Sequence, residues 1–303
     1  MSSAPPATAA PPSPLPFPLG GVWHHVPICD STSDELLRLG RAGAVEGTVY
    51  TADAQRQGRG RQGRIWHSPP GDHLYLSILL RPPLPPHRAP PLCLVAGLAL
   101  YDAVRDVLIA DGLADRVALR LKWPNDLLAA PTLDGQPPPL ASPAWRKLGG
   151  ILTELVGTAN AIDFVVVGVG CNVLGDRFPA DVPATSLRIL TRRAPPVDPG
   201  PDGNSIPADQ PLRTTPHTLS LALLSTLTGW YARYLQQGPD AVLSAFTLAA
   251  GLGPAHPPVH VRVAPHDPPL IGVPEGLGPA GELILRTPTG LTRVVSGELA
   301  LSR

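Results

Sequence analysis

An α+β domain followed by a small all-β module is the fold class predicted by this 303-residue sequence. Helix-like and strand-like apolar runs alternate up to residue 253, and from Pro254 onward only short β-like pieces remain. Length and a 43% hydrophobic content allow one large core with a smaller one beside it. The expected division is a proline-rich, disordered lead over residues 1–20, a main domain over 21–253 and a small module over 254–303.

A helix is expected to start at Thr32, because Thr32 with Glu35 three positions later forms a capping-box pattern ahead of Leu36, Leu37 and Leu39. Val45–Thr51 reads as a strand. Leu74–Leu80 reads as a second, with apolar residues at both parities, as in a strand covered on both faces. Leu92–Leu108 carries apolar residues at helical spacing. Val117–Lys122 is then a strand, stopped by Trp123-Pro124-Asn125-Asp126, since proline removes a ladder donor. Lys147–Leu155 and Asp163–Val169 are two more strands. Leu219–Gln237 and Asp240–Ala250 read as helices, the first ended by Gly238-Pro239. Val259–Val263, Leu270–Val273, Glu282–Leu285 and Leu291–Val295 together predict a barrel of the SH3 size class.

Composition excludes several classes of protein. The 24 basic and 24 acidic side chains balance, which argues against a generally basic nucleic-acid binder. The longest apolar run, Leu92 to Tyr101, is half a membrane span, so no membrane partner is expected. Cys29, Cys93 and Cys171 are few and lack metal or disulfide spacing, which places the chain in a reducing, cytoplasmic setting with no metal site by direct motif. The 41 prolines are about three times the usual share and cluster near residues 131–145 and 192–216, among other stretches.

Four segments are more polar than core strands require. Residues 56–66, Arg-Gln-Gly-Arg-Gly-Arg-Gln-Gly-Arg-Ile-Trp, hold four arginines, three glycines and no acid. Backbone N–H groups and guanidinium forks of such a run can converge on phosphate or carboxylate oxygens. An isolated run of this kind reads equally as a solvated loop or an RNA-binding element, but here the charge is local and mounted on a folded domain. Lys122-Trp123-Pro124-Asn125-Asp126 puts a cation, an amide and a carboxylate at one strand end. It also fits a plain β-turn. Lys147-Leu148-Gly149-Gly150-Ile151-Leu152-Thr153-Glu154 has paired glycines that permit close approach, with Lys147 and Glu154 on opposite faces by alternation. Gly168-Val169-Gly170-Cys171-Asn172 is a buried strand dissolving into glycines.

These four segments, in this order, resemble the biotin–protein ligases over about residues 22–300, apart from the proline-rich insertions. The resemblance implies a mixed-sheet catalytic domain of the biotin–lipoate ligase fold, related to class II synthetases, with an SH3-like barrel after it. It implies that biotin and ATP react to biotinyl-5′-AMP and pyrophosphate, and that biotin then passes to a lysine of a biotin carboxyl carrier protein. By motif match, Lys147, Arg59, Arg61, Lys122 and Asp126 would serve catalysis, with Mg²⁺ sharing the phosphate charge near Asp126. Ser31, Thr32, Gln55, Gly58, Arg59, Arg61, Lys147, Gly150 and Leu152 would hold biotin. Arg61, Trp66, Asn125, Lys147 and Asn172 would hold ATP, with Trp66 stacking on adenine and Asn172 bonded to it. The arginine loop would be a lid hinged at Gly58, Gly60 and Gly63.

Departures from the family pattern are Ser33 in place of asparagine and Cys171 in place of an aliphatic residue, the latter read as a buried thiol or a labelling site. A family arginine near the C-terminus is offset to Arg303. With only a short proline-laden lead before residue 21, no DNA-binding module is expected; a homodimer is compatible with the family. The nearest rival enzyme is a lipoate or octanoate ligase or transferase.

Overall fold

The computed structural model describes residues 19–179, 182–193, 212–263 and 268–301. Nearly all of the 1–20 lead, most of the 192–216 stretch and Arg303 lie outside them. A seven-stranded mixed sheet forms from β1 (Trp23–Cys29), β2 (Val49–Gln55), β3 (His73–Leu80), β4 (Val117–Lys122), β5 (Asp126–Pro131), β6 (Arg146–Gly157) and β7 (Ile162–Asn172), in the order β1-β2-β3-β7-β6-β5-β4. The β1–β2 pair is parallel and the other pairs are antiparallel. The helices are α1 (Thr32–Arg41), α2 (Leu92–Ala110), α3 (Leu187–Arg193), α4 (Pro216–Gln237) and α5 (Asp240–Ala250). None of the helices among the described residues is long and apolar enough to cross a membrane.

Alternation along the central strands assigns the two faces. Val165, Val167, Val169 and Cys171 of β7 join the large core under α2, α4 and α5. Val166 and Phe164 point the other way and meet Leu36 of α1 and Leu79 of β3. All eight residues of β3 are buried, as two covered faces require. Because α1 is only ten residues long, it covers part of its face and leaves the rest for the site.

The C-terminal residues form a five-stranded antiparallel sheet from β8 (Val259–Arg262), β9 (Leu270–Leu277), β10 (Leu283–Thr287), β11 (Gly290–Val294) and β12 (Glu298–Leu301). Its Val259, Val261, Leu283 and Leu285 belong to the same apolar cluster as α2 and the large sheet. Trp123, 2% exposed, donates its indole N–H to the Gly281 carbonyl at 2.9 Å and so fastens the β4–β5 turn to this sheet.

Several elements differ from the sequence expectations for local reasons. The helix cap is Ser31, whose hydroxyl accepts from the Asp34 N–H at 3.4 Å, while Glu35 pairs with Arg38 instead of closing a capping box. The second strand starts at Val49, because Val45–Thr48 is a turn held by Thr48 Oγ1 donating to the Val45 carbonyl at 2.7 Å. β1, β5, β12 and α3 have no counterpart among the expected elements, β1 because Pro27 and two histidines obscure its alternation and β5 because it runs straight out of the Trp-Pro-Asn-Asp turn. Lys147 and Glu154 do not fall on opposite faces. A bulge in β6 sets Leu127 opposite Gly149 but Leu128 opposite Lys147, and the extra residue inverts the alternation.

His73 in β3 is 2% exposed, stacks on Phe178 and accepts the Val173 N–H on Nδ1 at 3.2 Å. Burial pushes its pKa from 6.5 down to about 4, against the pull of Asp72. The unfolded chain therefore takes up a proton below about 6.5 that the folded chain refuses until about pH 4. The stabilisation is complete above 6.5 and is lost as pH falls through that window. Thermal melts from pH 7 to pH 4 should show the midpoint falling, and His73→Phe should start lower but fall less steeply.

Candidate active site

The site begins with side chains that are missing. Gly150 on β6 and Gly168 and Gly170 on β7 are cross-strand neighbours or one pleat apart, and all face the α1 side. A Cβ at Gly168 would lie 2.6 Å from Ser33 Oγ, one at Gly170 2.5 Å from the Trp66 ring, and one at Gly150 3.2 Å from both Trp66 and Lys147. The sheet is thus bare at the N-terminal end of α1, and a cavity of about 990 Å³ opens above it. Its walls include every sequence-predicted site residue except Gly58.

One end of this cavity is a chain of neutral hydrogen-bonding groups. The Thr32 N–H and hydroxyl donate to Gln55 Oε1 at 2.9 and 3.2 Å, and Gln55 Nε2 donates to Ser68 Oγ at 3.0 Å. Ser77 Oγ sits 2.8 Å from Thr32 Oγ1 and 3.0 Å from Ser33 Oγ. Ser31 spends its hydroxyl on the helix cap, leaving Thr32 to the network. Leu152, opposite Gly168, supplies apolar surface beside it.

The other end is charged. Lys122 and Asp126 face each other across the β4–β5 hairpin, and the β6 bulge brings Lys147 Nζ to 2.7 Å from Asp126 Oδ1. Burial pushes the Lys122 ammonium pKa down, while Asp126 and Glu298 pull it up. Asn125 donates to the Ile151 carbonyl at 2.9 Å and accepts from Arg61 Nη1 at 3.1 Å. Arg61 Nη1 also reaches the Gly297 carbonyl at 3.4 Å. Asn172, 5% exposed, donates to the Thr185 carbonyl at 2.9 Å and ties residues 183–185 along the start of β6. Lys147 Nζ lies 5.3 Å from the Trp66 ring centroid, a cation–π distance. Trp66 Nε1 is buried with no hydrogen-bond partner among the described residues.

The arginine run forms a small hairpin lid, with Trp66 N–H donating to the Gly58 carbonyl and Gly60 N–H to the Arg64 carbonyl, both at 2.8 Å. Apart from Arg61, its cations are held by the chain's own carboxylates. Arg59 makes a bidentate pair with Glu154 at 2.9 and 2.6 Å and reaches Asp34 at 2.7 Å. Arg64 donates to Glu298 Oε1 at 3.0 Å, and that bond holds the Glu298 carboxyl below its usual range. The three lid glycines do three different jobs. Gly58 is packed behind the wall, where a Cβ would lie 2.5 Å from Ser68 Oγ and from the Trp66 carbonyl. Gly60 is extended with room for a Cβ, and Gly63 has φ +72° beside Gln62 at φ 56°.

Sequence reasoning missed Ser77, Ser33 and Glu154 as site-forming groups. Ser77 was legible only as a lone hydroxyl inside an otherwise apolar strand. Simple alternation puts Glu154 on the face opposite Lys147, and the bulge breaks that alternation. Cys171 faces the large core, fully buried, and burial pushes its pKa up to about 12, so the buried-thiol reading holds and the labelling one does not.

Comparison with known proteins agrees with this geometry. Residues 26–172 match the model of the biotin/lipoate A/B protein ligase family. The bifunctional ligase/repressor BirA of Bacillus subtilis is 32% identical over 170 residues, and the match spans 56% of this chain but only 45% of that protein. The biotin–[acetyl-CoA-carboxylase] ligase of Paracoccus denitrificans is 32% identical over 274 residues, 89% of this chain and 96% of that one. The structure of the biotin protein ligase from Aquifex aeolicus in complex with biotin and ATP superposes with a TM-score of 0.64 at 25% identity, over 93% of this chain and 98% of that one. A bare-floored cavity under an arginine lid, neutral at one end and cationic at the other, is thus found in a chain that belongs to the biotin protein ligases.

Proposed function

We propose that the protein activates biotin with ATP to biotinyl-5′-AMP and transfers the biotinyl group to a lysine of a biotin carboxyl carrier domain. The supporting observation is the polarity gradient along a single cavity. Neutral donors and acceptors at Thr32, Gln55 and the serines suit a ureido ring. Leu152 and the glycine floor suit an aliphatic tail. Lys147, Lys122 and Arg61 suit a carboxylate meeting a phosphate. From Gly168 to Asn172 the floor runs roughly 13 Å at strand rise, enough to separate the two chemistries.

In the first step a carboxylate oxygen of biotin attacks the α-phosphorus, an O–P bond forms, the α–β bridging bond breaks and pyrophosphate leaves. Two anions must meet, so fixed cations carry much of the catalysis. Lys147, lying between Asp126 and the Trp66 face, would supply one such cation. Asp126 is the side chain that would hold Mg²⁺ with triphosphate oxygens, where the ion would neutralise phosphate charge. In the second step the carrier lysine, as a neutral amine, attacks the biotinyl carbonyl; AMP leaves and the amine loses a proton. The lid over the cavity would shield the mixed anhydride from water. We read the C-terminal sheet as the SH3-like barrel of the family, and the free thiols as fitting a cytoplasmic protein.

An RNA-binding reading fares worse, because Arg56, Arg59 and Arg64 are each paired with a carboxylate of the chain itself. The decisive experiment is ATP–pyrophosphate exchange with biotin, lipoate and octanoate in turn; exchange with either fatty acid but not with biotin would overturn the proposal. Lys147→Ala should cut biotin-dependent exchange by about a hundredfold or more, the scale of a lost transition-state donor. Its melting midpoint should stay within about 5 °C of the parent. Arg61→Ala should release adenylate, seen as labelled biotinyl-5′-AMP passing an ultrafilter that the parent protein holds back.

A further inference from the structure

The proline-rich stretch before β6 is held by a buried arginine that the proposed chemistry does not use. Arg120 on the edge strand β4 is 5% exposed. Its guanidinium donates to the Ala250 carbonyl at the end of α5 (3.1 Å) and to the Leu140 carbonyl (2.9 Å). Nη2 lies 2.6 Å from His256 Nε2, and the other ring nitrogen of His256 lies 2.6 Å from the Pro257 carbonyl. With Nδ1–H donating to Pro257, Nε2 of a neutral His256 is left to accept from Arg120. The guanidinium also sits 5.9 Å from the centroid of Trp145, which is 8% exposed and packs on Ala118, Leu128 and Ala130. All its hydrogen-bond partners are neutral, an arrangement in which a planar five-donor fork collects carbonyls that a point charge would not.

What Arg120 holds in place faces the cavity. Ala141, Ser142, Pro143 and Trp145 line it. They precede Lys147 directly, so they lie at the Asn172–Lys147 end of the floor and away from the Thr32–Gln55 end. We propose that residues 139–145 form a wall of the nucleoside-triphosphate end of the cavity, and that Arg120 is the positioning residue that sets that wall. The inference rests on the biotin-activating reading above and adds to it a segment and a residue that touch neither the hydroxyl network nor the lid.

The test is calorimetric, on the full chain, with biotin and then α,β-methylene-ATP titrated into biotin-saturated protein. Arg120→Met keeps the length and apolar stem of the side chain and removes every donor. It should weaken nucleotide binding at least tenfold and leave biotin affinity within twofold, and Arg120→Lys should recover part of the loss. Ser142→Trp adds bulk to the wall without touching Arg120. It should give the same one-sided loss, and it decides the matter alone if Arg120→Met fails to fold. Nucleotide affinity within twofold of the parent in the folded variants, or equal losses for both ligands, overturns the wall. A parent protein that binds lipoate but not biotin overturns the reading of the site, and with it this inference; a parent that binds both ligands while the variants show no selective loss overturns the inference alone.

Discussion

Three missing side chains decide the rest of this architecture. Gly150, Gly168 and Gly170 strip one face of the two central strands at the point where α1 begins. Any Cβ at 168 or 170 would overlap Ser33 or Trp66, so the floor is already in close contact with what covers it. The opposite face of β7 is packed to full burial with Val165, Val167 and Val169, with Ile151 of β6 buried beside them, which supplies the rigidity that a bare surface lacks. Function and stability are thus divided by the strand's twofold alternation: odd residues of β7 from Val165 to Cys171 serve the large core, while on the other face Phe164 and Val166 pack under α1 and Gly168 and Gly170 floor the cavity.

The charges are arranged with equal economy. Four cations of the site have a local partner: Asp126 for Lys147, Glu154 and Asp34 for Arg59, Glu298 for Arg64 and the Asn125 amide for Arg61. These pairs are half-exposed, so each contributes little to stability by itself. Their value lies in orientation. Guanidinium and ammonium groups already aimed and partly desolvated need less rearrangement when a triphosphate replaces a carboxylate.

The large-scale plan was legible in the sequence because long periodic runs such as 92–108 and 219–237, and the doubly apolar Leu74–Leu80, leave few alternatives. The site residues were legible as motifs, and thirteen of the fourteen line one cavity. A glycine in a basic loop such as Gly58 reads as a hinge, whereas its backbone is packed against Ser68 and the Trp66 carbonyl. The bulge in β6 could not be read, since one extra residue leaves no mark on composition yet moves Lys147 to the side of Glu154. β1 escapes because its own residues carry weak strand signals and its partner β2 lies beyond α1, and β5 because it folds straight back on β4 from a turn that reads as a strand end.

The indole of Trp123 reaches across to the Gly281 carbonyl from within the very turn that carries Lys122 and Asp126. The C-terminal sheet is therefore no detachable appendage that evolution or an engineer could swap like a cassette. A protein severed at Pro254 would bare this tryptophan and the flank of α2 to water, and would lose the backstop of its own reaction centre along with fifty residues of chain.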